Sequence, residues 1–189
     1  PSAGALEILF DYSYDAGSFF GAQDRRDALE SAASLLEGLI TDNLTAITPS
    51  GPSATWTATF VDPYTGGSAS VVDRTIPANT LVIYVGGHDL PGNEVGFGGP
   101  GGYNSFGSSA WNTTVSTRGQ TGASGNLPTD FGPWGGSIAF DTIGGDGQAR
   151  NILSHITSCQ CKSSMPYTLH GDSCNYKSNQ KFLGYIRSC

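Results

Sequence analysis

A change of composition near residue 149 most limits what this chain can fold into. No Lys, Cys or Met occurs in residues 1–149, whereas the last 40 residues contain all three lysines, all four cysteines and the single methionine. Residues 1–150 carry 15 acidic and 5 basic side chains, net −10, and residues 151–189 carry 1 and 4, net +3, which together give −7. We therefore expect one folded body over residues 1–143 and a divergent tail over residues 144–189.

The composition also bears on location and on partners. Only 13% of residues are charged, and the chain contains 27 glycines, which is typical of a secreted, extracellular protein rich in strands and turns. A body of net −10 repels phosphate groups, so we expect no nucleic-acid partner. No apolar run approaches about 18 residues, so we expect no membrane span.

The clearest periodic pattern predicts a long helix over about residues 24–43. Asp24 is a suitable N-cap, and Pro49 follows the end of the pattern. The apolar residues recur at spacings of three, four and seven, and they are Ala28, Leu29, Ala32, Leu35, Leu36, Leu39 and Ile40. Such a stripe indicates one face packed on a sheet.

Alternating and apolar runs predict strands at residues 6–12, 55–61, 70–72, 80–85 and 135–141. The fourth run is almost continuously apolar, as in a strand buried on both faces. Nine glycines in residues 86–107 predict a long loop or a distorted edge strand. The strand–helix–strand beginning favours a crossover in a mixed sheet. We therefore expect an α+β fold, a twisted mixed β-sheet backed by one long N-terminal helix, with a Gly-rich loop and an irregular, cysteine-containing tail.

Several segments resemble a family of secreted bacterial zinc metallopeptidases of the zincin type, which often carry a carboxy-terminal PEP-type sorting signal. The resemblance covers roughly residues 5–142. Its most specific pieces are Gly-Gly-Pro-Gly-Gly at residues 98–102 and Phe-Gly-Pro-Trp-Gly-Gly-Ser-Ile at 131–138. Its other segments are Phe10-Asp11-Tyr12, residues 25–30, residues 44–47, residues 76–87, Arg118-Gly119-Gln120 and residues 139–141.

The resemblance implies a zincin N-terminal subdomain, in which an edge strand of the sheet pairs with an extended peptide or protein substrate. In the intact family a following helix carries His-Glu-x-x-His, which binds zinc and supplies the general base. This chain has only His88, His155 and His170, and none is followed by Glu or by a second His four residues on. No catalytic or metal-binding residue can therefore be assigned.

We expect a truncated or catalytically incomplete member of the family, inactive as a peptidase. The tail, from residue 144 or 149, is interpreted as out-of-frame or foreign sequence. The alternative is a non-enzymatic extracellular binding or adhesion module. The oligomeric state cannot be read from the sequence.

The tail offers two interpretations of its cysteines. Cys159, Cys161, His170 and Cys174 could hold a structural zinc, although their spacing is looser than in zinc knuckles. The alternative is two disulfides or free thiols. Cys159 and Cys161 are too close to pair comfortably with each other, so any bridges would run to Cys174 and Cys189.

Few side chains in the body suggest chemistry. His88-Asp89 could be a His–carboxylate pair, or a loop histidine bonded to backbone. Glu94 could be a ligand, base or solvated carboxylate. Asp141 and Asp146 flank Gly144-Gly145 and could form a calcium loop, although two carboxylates are not specific. The tryptophans could form a sugar-stacking platform or belong to the core, and they are Trp56, Trp111 and Trp134.

Overall fold

The computed structural model of the protein describes residues 6–38, 40, 42–92, 94–120 and 134–143. Within these ranges the chain forms seven strands and two α-helices. In chain order they are β1 (Glu7–Asp11), α1 (Gln23–Glu37), β2 (Ala54–Val61), β3 (Ser68–Val72), β4 (Thr80–His88), β5 (Gly96–Pro100), β6 (Gly102–Gly107), α2 (Ser109–Thr117) and β7 (Gly135–Asp141). The five predicted strands are present as β1, β2, β3, β4 and β7.

Strand β4 lies at the centre of the fold because nearly its whole length is apolar. Every residue from Thr80 to Gly87 is buried. β4 pairs in parallel with β1 on one side and with β7 on the other, while β5 runs antiparallel to β7. The first sheet therefore has the order β1-β4-β7-β5. A central strand buried on both faces needs a covering layer on each side.

The second sheet covers one face of β4. Its order is β3-β2-β6, and both strand pairs are antiparallel. Burial alternates along β2, so that Trp56 and Phe60 point inward while the threonines between them face outward. The inward side chains pack with Val82 and Tyr84 of β4 in one apolar cluster. Alternation of this kind is what a half-buried antiparallel strand requires.

Helix α1 and the turn before it cover the other face. Leu81, Ile83 and Val85 of β4 belong to a separate cluster that includes Leu29 and Ala33 of α1. Phe19 and Phe20, from a short 3-10 turn, complete this layer. Because side chains on a strand alternate between faces, β4 contributes to both cores at once.

The expected architecture is wrong in two respects. The chain forms two sheets rather than one, and no long N-terminal helix backs the first sheet. α1 ends at Glu37 and buries only Leu29 and Ala33, while Leu35 of the predicted stripe is 53% exposed. The helix ends where Gly38 donates its N–H to Leu36 O, and glycine is a poor helix former. Strands cover one face of β4, and the short α1 shares the other face with the turn before it.

The glycine-rich segment turns the corner between the two sheets, because β5 belongs to the first and β6 to the second. Between them, Gly101 lies under the indole of Trp134, and a Cβ at Gly101 would come within 1.9 Å of that ring. Gly101 donates its N–H to Gly135 O, and Trp134 Nε1 donates to Gly102 O. The two most specific segments of the resemblance thus contact each other, and their described residues have a structural role.

None of the helices in the described ranges is long and apolar enough to cross a lipid bilayer. The tail over residues 144–189 lies outside the described residues, and so do its cysteines, His155, His170 and Asp146. The predictions made for them remain predictions.

Candidate functional site

The outer edge of β5 is the candidate site, because an edge strand offers backbone groups to a ligand. The two ends of its pairing with β7 are fixed by hydrogen bonds. Asp141 donates its N–H to Val95 O over 3.1 Å, and Gly101 donates to Gly135 O over 2.9 Å. In an antiparallel pair, bonded and non-bonded residue pairs alternate. These two bonds therefore determine which residues of β5 direct their backbone N–H and C=O groups toward β7 and which direct them outward.

Between those ends, Phe97 and Gly99 direct their backbone groups toward β7. Gly96, Gly98 and Pro100 direct theirs away from the first sheet. Gly98 is half-buried, Pro100 is exposed and Gly96 is buried. In the ranges that the structure describes, no strand pairs with this outer edge. The accessible polar groups are thus the N–H and C=O of Gly98 and the C=O of Pro100.

The absence of side chains leaves this backbone accessible. Gly98 has a further reason to be glycine, since its Cβ would lie 3.1 Å from Ser137 O and 3.2 Å from Ile138 Cγ1. Gly99 has no such restriction, because a Cβ there would meet nothing within 4 Å. Packing therefore explains why residue 98 is a glycine, but it does not explain why residue 99 is one.

Asp141 lies at the end of β7, and its carboxylate serves the local backbone. It is only 2% exposed, and its Oδ1 accepts N–H groups from Leu90 over 3.1 Å and from Ile143 over 3.3 Å. These bonds hold the two chain segments that follow β4 and β7. Glu94 is exposed and lies near the start of β5. Among the described residues, no group of three or more His, Cys, Asp or Glu side chains could hold a metal ion.

His88 and Asp89 follow β4, as predicted, but they do not form a bonded pair with each other. His88 Nδ1 lies 2.9 Å from Pro63 O, and because a carbonyl oxygen can only accept, the Nδ1–H donates to it. Asp89 is exposed. This geometry agrees with a loop histidine bonded to backbone.

The sugar-stacking platform is not formed by the tryptophans. Trp56 and Trp134 are 1% and 2% exposed, and their ring centroids lie 6.0 Å apart in the core. Trp111 is half-buried and donates its indole N–H to Thr55 O. The most exposed aromatic residue of the second sheet is Phe106, at 71%, and Tyr103 of the same strand is 42% exposed.

Arg118 is a buried cation that the sequence did not single out for a role. Its guanidinium donates to the carbonyl oxygens of Thr45, Pro77 and Thr80 at 2.7–2.9 Å. Burial lowers its pKa to about 10, so the group remains charged at neutral pH. The side-chain amide of Gln120 likewise donates a hydrogen bond to a backbone carbonyl, that of Asn43. The Arg-Gly-Gln segment of the resemblance is therefore structural in this chain.

Comparison with known proteins adds no relative. No protein-family model, no curated protein and no solved structure matches this chain. Nothing in these comparisons identifies a zincin metallopeptidase family. The resemblance rests on the sequence segments alone.

Proposed function

We propose that this chain is a catalytically incomplete member of a secreted zinc metallopeptidase family, and that its body binds an extended peptide along the outer edge of β5. The observation that carries the proposal is the outward N–H and C=O of Gly98, with no described strand paired to them. An extended peptide adds to such an edge through main-chain hydrogen bonds.

The surroundings of this edge support the same proposal. β5 is antiparallel to β7, and β7 is the strand after which the resemblance places the catalytic helix. The described part of the chain contains no candidate metal cluster. Zinc binding would be a property of the intact family and not of the described residues. Binding without hydrolysis is the function that we propose for this body.

Amide hydrogen exchange tests the edge directly. In the free protein the Gly98 N–H should exchange quickly and the Gly99 N–H slowly, because only the latter points at β7. Addition of oxidised insulin B chain, used as an extended peptide, should protect Gly98 and leave Gly99 unchanged. Unchanged exchange at Gly98 under saturating peptide would refute the proposed binding edge.

A pair of variants separates the hydrogen bond from the added volume. Both Gly98→Pro and Gly98→Ala add a Cβ against Ser137 and Ile138, but only proline removes the outward N–H. We expect peptide affinity to fall about five- to tenfold further in the proline variant than in the alanine variant. Equal losses in the two folded variants would assign the effect to packing.

Zinc content and hydrolysis test the incomplete-peptidase part. After extensive dialysis the protein should not cleave casein, with or without added zinc. A zinc retained by the tail should be lost on Cys159→Ser. Chelator-sensitive proteolysis that survives repurification and is abolished by His155→Ala would show a working site and overturn the proposal.

A second candidate is the non-enzymatic binding module, favoured by the open face of the second sheet. By register this face contains no charged residue, and it consists of Thr55, Thr57, Thr59, Val61, Ser68, Ser70, Val72, Gly102, Asn104 and Phe106. Hydroxyl groups beside an exposed ring suit a neutral oligosaccharide. Titration with cellohexaose tests it: binding abolished by Phe106→Ala and unaffected by Gly98→Pro would favour this module.

A further inference from the structure

A polar cavity lies away from the β5 edge, at the carboxyl ends of β4 and β7. It is shallow and open, with a volume of about 530 Å³, and is lined among others by Arg25, Tyr64, His88, Asp89 and Thr142. Crevices beyond the carboxyl ends of adjacent parallel strands are common ligand sites. We propose that this cavity binds the carboxylate of a small organic acid, with Arg25 as the binding cation.

Arg25 is held in place without being neutralised. Its Cζ lies 4.2 Å from the centroid of the Phe19 ring, and its Nη1 donates to Phe19 O over 2.6 Å. No ion pair joins it to any carboxylate of the described chain. A guanidinium has five N–H donors, so the others remain for a ligand. A positioned arginine loses little side-chain entropy on binding, and its planar donor pattern matches a carboxylate.

The cavity walls pack closely together because two glycines allow it. A Cβ on Gly17 would come within 2.9 Å of the Tyr64 ring, and one on Gly87 would come within 2.6 Å of Phe19. The Asp15 carboxylate accepts the N–H groups of Phe19 and Phe20 and holds the turn below Arg25. The cavity is thus formed before any ligand arrives, which lowers the cost of binding.

The charges around the cavity favour a monoanion. Arg25 is the one permanent cation in the lining, and Asp89 adds a negative charge to it. A chain of net −7 also repels a dianion such as phosphate. Tyr64, which is 41% exposed, offers a ring face to the apolar part of an organic acid. These features select an aromatic or aliphatic monocarboxylate.

Binding of benzoate to the full chain, followed by NMR shifts of the backbone amides, tests the proposal. Resonances of residues 17–19, 64 and 87–89 should move with benzoate. Benzamide, which has the same ring without the charge, should bind at least about tenfold more weakly, because hydrogen bonds to ionised groups are the stronger ones. Inorganic phosphate should compete poorly. Equal binding of benzoate and benzamide, or stronger binding of phosphate, would overturn the proposal.

The adjacent arginine gives a matched control. Arg26 stacks on Tyr12 and donates to Phe20 O, but it does not line the cavity. Arg25→Gln should weaken benzoate binding about tenfold or more, whereas Arg26→Gln should change it less than about twofold. Thermal melts establish that both variants are folded, and Arg25→Lys provides a second variant that retains the charge. If Arg25→Gln and Arg26→Gln weaken benzoate binding equally, the effect comes from the net charge alone and the proposed site is refuted.

Discussion

The two faces of β4 are covered in different ways. On one face, Leu81, Ile83 and Val85 meet a helix that buries only Leu29 and Ala33. On the other face, Val82 and Tyr84 meet the aromatic side chains of a second sheet. Aromatic rings contact one another on both sides; the helix side takes two of them from a short turn, and the sheet side combines rings from both sheets.

The aromatic side is also fixed by hydrogen bonds from buried indole groups. The indole N–H of Trp56 donates to Arg74 O over 2.8 Å, and that of Trp134 donates to Gly102 O over 2.9 Å. Phe60 stacks on Tyr84 with ring centroids 4.1 Å apart. Buried indole groups that find acceptors add orientation to apolar burial. The sheet–sheet interface is therefore expected to tolerate substitution least.

Removal of Trp134 should have the largest effect. Trp134→Ala empties the centre of the aromatic cluster and leaves Gly102 O without its indole donor. We expect the free energy of unfolding to fall by about 3–5 kcal/mol in denaturant titrations. A loss below about 1.5 kcal/mol would mean that the aromatic side tolerates substitution as well as the helix side does.

On the helix side, Leu29→Ala should cost about 2–3 kcal/mol, the lower part of the range for buried leucines. Leu29 is 4% exposed and is one of the two residues that α1 buries. Leu35→Ala on the same helix is the control, since Leu35 is 53% exposed, and its effect should stay within about 0.5 kcal/mol. If the two substitutions cost the same, the orientation of α1 is wrong.

The corner between the sheets should be sensitive to one methyl group. Gly101→Ala places a Cβ in the Trp134 ring, and we expect a loss of about 1–3 kcal/mol from forced repacking. Gly99→Ala, two residues away in the open, should change the free energy of unfolding by less than about 0.5 kcal/mol. A neutral Gly101→Ala would show that Trp134 can move aside freely.

The smallest effect concerns the ion pair at the rim of the aromatic side. Arg74 pairs with Asp11 of β1 and donates to the Tyr84 hydroxyl over 2.7 Å. Burial raises the pKa of Asp11, but hydrogen bonds from Ser13 and Arg74 outweigh it and leave the pKa below its ordinary value. The stabilisation is therefore present above the unfolded pKa and is lost as pH falls through the lower folded pKa.

In acid titrations of stability from about pH 5 to about pH 2, the protein should lose up to about 1 kcal/mol more than the Arg74→Met variant. Arg26→Met removes the same charge without touching this pair, and it serves as the control. If the free energy of unfolding falls with pH in the same way in the protein and in the Arg74→Met variant, the ion pair does not contribute to the pH dependence of stability.

Five of the seven strands could be predicted because each of them obeys a local rule. The alternation along β2 and the apolar run of β4 follow from the period of two and from burial on one face or both. The helix was overestimated because Leu35 and Leu36 continue the apolar spacing, although Leu35 faces solvent and α1 ends at Glu37. The periodicity of a sequence indicates which side chains could be buried on one face of a helix. The elements that pack against the helix decide which of these side chains are buried.

The partner of each strand was not predictable in the same way. The order strand–helix–strand suggested that β1 and β2 share one sheet, but β1 pairs with β4, and β2 belongs to the second sheet. The β5 edge follows from its register with β7, which no local pattern in a glycine-rich segment encodes. The cavity beside Arg25 likewise joins residues from four separate parts of the chain.

By itself, the sequence determined the positions of five strands and the absence of His-Glu-x-x-His, while the separation of body from tail stays a prediction. These features depend on residue type and spacing within short windows. Only the tertiary structure decided that there are two sheets, that Trp134 lies over Gly101, and that Gly98 points outward. Those facts depend on contacts between residues distant in the chain, whose free energies are set by packing and register rather than by local propensity.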